Sequence, residues 1–296
     1  MSPAVEIDGL TKAYKKFRLD SVSMELPEGL ILGLIGPNGA GKTTTLKIMM
    51  DMIRADSGRI HIFGLEHHTH TREIKNRVGY VGEEPQFYGD KSVSWTGKWI
   101  SGFYRNWDLN HFEKLLTDFG ISRTKKTGQL SKGMRVKLSL ALALSHQPEL
   151  LILDEPTAGL DPVVRRDVLE RLRSLSKSQG RSVIISSHIT DDITRIADLI
   201  VFLIDGCVVL SESKDDLLAK WKRIHFQEKA LDSQIAGSLK CPKSQVFGSS
   251  GITVDYPSLK PHLSAGLDNQ TIKVENLTLD DILIACVKGD ASCSTS

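Results

Sequence analysis

From residue 31 to residue 205 the chain alternates short apolar runs with longer stretches of mixed polarity. Ile31-Leu32-Gly33-Leu34-Ile35, Val78-Gly79-Tyr80-Val81, Leu150-Leu151-Ile152-Leu153, Val183-Ile184-Ile185 and Leu199–Ile204 are unbroken by charge and too short for core helices. They read as strands buried on both faces of a parallel sheet. Three intervening segments read as helices: Thr44–Met50, Val136–Leu144, and a run from Pro162 with Val164, Val168, Leu172 and Leu175 on one face. Strands alternating with helices predict an α/β fold around a parallel sheet. Upstream, Glu6–Leu10 and Val22–Leu26 alternate apolar and polar positions, as half-buried strands do, and Arg59–Phe63 follows a turn at Asp56-Ser57-Gly58.

Past Trp221 the pattern thins. Short β-like pieces at 245–247, 252–254 and 272–274 precede one last helix, about Leu279 to Lys288, and a frayed tail is expected from Gly289. This predicts a main domain over residues 1–220 and a small α+β appendage over 221–296.

The first apolar strand runs directly into Gly36-Pro37-Asn38-Gly39-Ala40-Gly41-Lys42-Thr43, which fits G-x-x-x-x-G-K-[ST]. Glycines leave room for backbone N–H groups to curl around phosphate oxygens, and the following helix presents its positive end. Lys42 is placed to reach the β- and γ-phosphates, and the Thr43 hydroxyl to ligate Mg²⁺. The run Leu150–Leu153 ends in Asp154-Glu155, a strand whose end meets the phosphate loop. Asp154 is then a Mg²⁺ ligand, directly or through water, and Glu155 the group that orients and deprotonates an attacking water. Tyr14, between the first two strands, is either a base-stacking ring or an edge-strand tyrosine.

Two other clusters carry less. His67-His68-Thr69-His70 follows a glycine and lacks a carboxylate or cysteine at helical spacing, so it reads as a solvated loop. Trp95, Trp99, Phe103 and Trp107 recur every four residues and predict one helix with an aromatic stripe. That stripe reads as the core of a helical layer, with outer rings available to a partner.

The net charge of +2 gives no strong pull toward nucleic acid or acidic lipid. Four scattered cysteines show no metal-like pairing and suit a reducing compartment. No signal peptide is expected from the first residues, and no apolar run approaches the ~18 residues that cross a bilayer.

Taken together, these motifs resemble the ATP-binding cassette (ABC) ATPases over about residues 4–220. Leu130-Ser131-Lys132-Gly133-Met134 matches the family signature, Leu160-Asp161 its D-loop, His188 its switch histidine and Glu83 its Q-loop glutamine. The resemblance implies a P-loop NTPase with a RecA-like parallel core, an N-terminal antiparallel β subdomain and a helical subdomain inserted at about 85–147. It implies ATP held by Tyr14, Gly36, Pro37, Asn38, Gly39, Ala40, Gly41, Lys42, Thr43 and Thr44. Ser131, Gly133 and Asp161 would be supplied by a second cassette, identical or different, in a head-to-tail pair. Glu155, His188 and Lys42 would be catalytic, and Thr43, Glu83 and Asp154 would hold Mg²⁺. Glu83 departs from the usual glutamine; its carboxylate can ligate Mg²⁺ but adds negative charge and loses an N–H donor.

The single cassette with a C-terminal appendage resembles ATPases paired with ABC-2 type permeases, among them the Ytr-like group. The implied protein is a transporter ATPase, cytoplasmic and held at the inner face of the membrane only through its permease, with no nucleic-acid partner. The alternative is a soluble, non-transport ABC ATPase acting on ribosomes or DNA; its usual tandem cassettes or coiled-coil insertion are absent here. A small-molecule kinase or GTPase leaves the signature and His188 unexplained.

Overall fold

The computed structural model describes residues 3–227, 239–245 and 248–288, with isolated positions 235 and 237. The chain divides into two compact units, Met1–Val208 and Val209–Ser296.

In the first unit, β1 (Val5–Tyr14) and β2 (Phe17–Leu26) pair antiparallel, with Tyr14 opposite Phe17 at the hairpin end. β1 also pairs with β4 (Ser57–Ile62), which pairs with β5 (Leu65–Glu66). Their inward positions, Val5, Ile7, Leu10, Leu19, Val22 and Leu26, are buried, as the alternation predicts.

The second sheet holds β3 (Ile31–Ile35), β6 (Val78–Val81), β7 (Leu150–Asp154), β8 (Ser182–Ser187), β9 (Leu199–Ile204) and β10 (Cys207–Ser213), in the order β10-β9-β3-β8-β7-β6. The pairs β3–β8, β3–β9, β6–β7 and β7–β8 are parallel. β3, β7 and β8 are buried at every position, which is why their central runs, Ile31–Ile35, Leu150–Leu153 and Val183–Ile185, carry no charge. Register sets Ile35 beside Ser187 and Asp154 beside Ser186, so three strands end level. Ligands of open parallel sheets bind along that edge.

Between β6 and β7 lies the helical insertion: α3 (Val93–Ser101), α4 (Leu109–Asp118) and α5 (Lys132–Leu144). The expected aromatic helix through Trp107 does not form. α3 closes at Gly102, and Phe103 and Trp107 lie beyond it. Its buried face is Val93, Thr96 and Gly97, and the Phe112 ring of α4 sits where a side chain at 97 would be. The aromatic residues on the opposite face are therefore turned out. Tyr88, Trp95, Trp99 and Phe103 are 59%, 39%, 46% and 66% exposed, so this stripe is surface rather than core. Trp95 and Trp99 stack at 6.0 Å, and Tyr88 and Phe103 meet Trp99 edge-on at 5.6 and 5.2 Å. Trp107 alone turns inward, 5.4 Å from Phe112.

The second unit contains β11 (Lys222–Phe226), β12 (Lys240–Gln245), β13 (Gly248–Thr253) and β14 (Ile272–Asn276), ordered β12-β13-β11-β14 and antiparallel. Ile224, Leu239, Leu263 and Ile272 form its small core. The division falls inside β10 rather than near residue 220, because the helix Lys214–Lys220 packs against Tyr256–Asp268 of this unit. That second helix is hidden in the sequence by Pro257 and Pro261; Pro257 lies in its first turn, where proline is tolerated. The helix Leu279–Lys288 lies where the periodicity puts it. The tail from Gly289 and positions 246–247 of the expected strand lie outside the described residues. Among the described residues, no helix is long and apolar enough to cross a membrane.

Candidate active site

β3 leads through the glycine loop into α1 (Lys42–Met49). A Cβ on Gly36 would run into the carbonyl oxygen of Leu203, so only glycine lets the loop leave β3 beside β9. Gly41, at φ 107°, is the residue before the helix, and any side chain there would strike Phe17 and Leu19. No side chain caps α1, which leaves its first N–H groups for an anion. Lys42 is buried; its ammonium donates to the carbonyls of Gly36 at 2.8 Å and Pro37 at 3.2 Å, and lies 3.2 Å from Glu155 Oε1.

The carboxylates come from the end of β7. Asp154 is almost wholly buried, and its Oδ1 accepts from Ser186 Oγ at 2.7 Å. The same Ser186 hydroxyl accepts from Glu155 N at 2.9 Å, so one side chain of β8 fixes both acidic residues. Glu155 has φ 47°, the left-handed region that a residue with a Cβ rarely enters. That backbone turn brings Glu155 Oε2 to 2.8 Å from His188 Nδ1 and 3.3 Å from His188 N. A carboxylate between an ammonium and an imidazole can accept a proton from water and pass it on.

These groups open into a cleft of about 490 Å³, a size suited to a small ligand. Its walls include Asn38 to Thr44, Glu83, Glu155 and His188. Thr43, Glu83 and Asp154 offer only oxygen donors, the chemistry that suits a hard cation such as Mg²⁺. Phe17 also lines the cleft, whereas Tyr14 does not; it is 46% exposed, with its ring 6.4 Å from that of Phe17. Phe17 sits one hairpin turn away from Tyr14 and carries no motif, so nothing in the sequence singles it out.

Ser131, Gly133 and Asp161 do not line this cleft. Ser131 is the exposed N-cap of α5, accepting from Met134 N at 3.3 Å. Asp161 caps α6 (Pro162–Gln179), its Oδ1 accepting from Val163 N at 3.1 Å and Val164 N at 3.0 Å. Gly133 faces Leu160 and Val164, and the Lys132 ammonium folds over Gly159. The signature and the turn before α6 thus share a second surface.

Residues 19–158 match the family described as ABC transporter. The bacitracin transport ATP-binding protein BcrA of Bacillus licheniformis is 35% identical over 80% of this chain and 78% of its own length. The chain belongs to the ABC transporter ATP-binding proteins. The ABC transporter ATP-binding protein YtrB of Bacillus subtilis is 30% identical over 95% of this chain and 97% of its own. Among solved structures, an ATP-binding subunit of an ABC transporter superposes with TM-score 0.66 at 27% identity, covering 73% of this chain and 92% of that one. A cassette in a post-hydrolysis state, bound to ADP and Pi, shares the fold at TM-score 0.64 and 22% identity. The P-loop core, the antiparallel sheet and the helical insertion are those of an ABC cassette. The protein is the ATP-hydrolysing, nucleotide-binding subunit of an ABC transporter, acting with a membrane permease and a second cassette.

Proposed function

We propose that this ATPase drives an ABC-2 type exporter, from the cytoplasmic face and through that permease alone. The observation that carries the coupling is the exposed aromatic cluster of Tyr88, Trp95, Trp99 and Phe103, which follows Glu83 of the nucleotide cleft closely in the chain. Aromatic residues exposed together mark protein interfaces. The cargo named for BcrA and for a lantibiotic transport relative at 36% identity supports export of a peptide antibiotic.

In this reading Thr43, Glu83 and Asp154 would hold Mg²⁺, which would supply positive charge against the phosphates. Lys42 binds the β- and γ-phosphates, Glu155 takes the proton of the attacking water, and His188 holds Glu155 in place. Asn38 to Thr44 cradle the triphosphate, and the base stacks on Phe17 and Tyr14. Ser131, Gly133 and Asp161 complete the site of a facing cassette, since their surface lies outside the cleft of their own chain. The first compact unit, Met1–Val208, acts as the cassette and the second, from Val209, as an accessory domain.

Co-expression with an ABC-2 type permease from the same genome tests the coupling. Trp95→Ala/Trp99→Ala is expected to keep ATP affinity within about twofold while losing co-purification with the permease from membranes. Retained co-purification overturns the docking assignment.

A further inference from the structure

The histidine-rich loop acquires in the fold what it lacks in sequence, a carboxylate. Asp51, in the turn leaving α1, places Oδ1 2.8 Å from His68 Nδ1. The rings of His67 and His68 lie 3.9 Å apart, and ligand atoms of Asp51, His67 and His68 all fall within 4.8 Å of one another. His67 is only 4% exposed, and neither of its ring nitrogens has a hydrogen-bond partner. A buried imidazole normally satisfies at least its N–H, so this ring is turned toward Asp51 and His68 with its donor capacity unused.

The surroundings resemble the outer shell of a metal centre. Thr71 Oγ1 lies 2.9 Å from Asp51 Oδ2, which leaves Oδ1 toward the histidines. The same hydroxyl lies 2.8 Å from the His67 carbonyl and 3.1 Å from that of His68, tying both ligand-bearing segments together. Hydrogen bonds of this kind orient ligands before an ion arrives.

We propose that Asp51, His67 and His68 form a binding site for a divalent transition-metal ion of the zinc type, separate from the nucleotide cleft. Two imidazoles and one carboxylate suit Zn²⁺, Co²⁺ or Ni²⁺, whereas Mg²⁺ and Ca²⁺ prefer an all-oxygen set. Bonds of about 2.0–2.1 Å in tetrahedral array need donors roughly 3.3 Å apart, so small side-chain rotations close the site. His68 is exposed, which leaves the fourth position to water. The ion would fasten the far end of α1 to the segment after β5. That end lies about 10 Å along the helix from Lys42, by the rise of seven residues.

Calorimetric titration of ZnCl₂ into the tag-free, metal-free, nucleotide-free chain tests this, with Co²⁺ absorption as a second readout. The expected result is one ion per chain and the intense visible bands of tetrahedral Co²⁺. Asp51→Asn and His68→Ala should each weaken binding more than about tenfold. His70→Ala should leave it unchanged, because its Nδ1 engages Thr69 and Glu66 instead. Zn²⁺ should raise the unfolding temperature of the unaltered chain and not of Asp51→Asn. Unchanged affinity in Asp51→Asn and His68→Ala, or an equal loss in His70→Ala, overturns the assignment. ATP binding by each variant reports that it is folded.

Discussion

His188 Nδ1 lies 2.8 Å from Glu155 Oε2, and Lys42 Nζ lies 3.2 Å from the other oxygen of the same carboxylate. Glu155 is thereby held from both sides, between the buried ammonium at the start of α1 and the residue that follows β8. Removing its negative charge while keeping its shape should uncouple binding from turnover. Glu155→Gln is expected to bind ATP with near-normal affinity and to lose about 10²–10⁴ of its hydrolysis rate, the usual worth of a positioned base. Single-turnover phosphate release measures it, and a normal rate removes Glu155 from the role of base.

Lys42→Ala acts on the other side. It removes the only buried ammonium of the cleft among the described residues and leaves Glu155 with its negative charge facing the phosphates. Affinity for ATP should fall at least tenfold while affinity for adenosine stays unchanged. Equilibrium binding of a fluorescent ATP analogue, competed by each ligand, checks the difference.

In the proposed site, Phe17 lines the cleft and Tyr14 lies outside its lining, so their shares in base stacking are separable by mutation. Stacking of a base on an aromatic ring is worth about 1–3 kcal/mol, so Phe17→Ala should weaken ATP binding roughly 5- to 150-fold. Tyr14→Ala, whose ring is outside the cleft lining, should cost less than Phe17→Ala. The reverse order, read from the two affinities, would return the stacking role to Tyr14.

His146 gives the fold a pH dependence. Its ring is buried, stacks on Tyr104 at 3.9 Å and faces the Val78 carbonyl at 3.2 Å. Burial pushes its pKa down from 6.5 to about 4. Between those values the unfolded chain binds a proton that the folded chain refuses, so stability declines as pH drops from about 6.5 toward about 4. Urea midpoints at pH 7 and pH 5 should show the decline, and His146→Gln should make it shallower, leaving the share of His67 and His111, whose pKa values burial also lowers.

Strands buried on both faces were legible because no charge interrupts their apolar runs, and Ser131 was legible as an N-cap because serine there satisfies an orphan N–H. Elements whose residues answer to tertiary neighbours were not. The aromatic run looked like a core stripe because spacing cannot say which face a helix buries; Gly97, with Phe112 set against it, decides that. The helix at Tyr256 was masked by prolines. Phe17 and Asp51 carry no local signal at all, since each matters only through residues that the fold brings beside it.

Trp95 and Trp99 on α3, with Tyr88 before it and Phe103 after it, set four large rings toward water, where they will seek any apolar surface offered. Produced by itself, the subunit should stick to copies of itself and to detergent micelles. Making it together with whatever covers those rings is then a condition for obtaining it monodisperse.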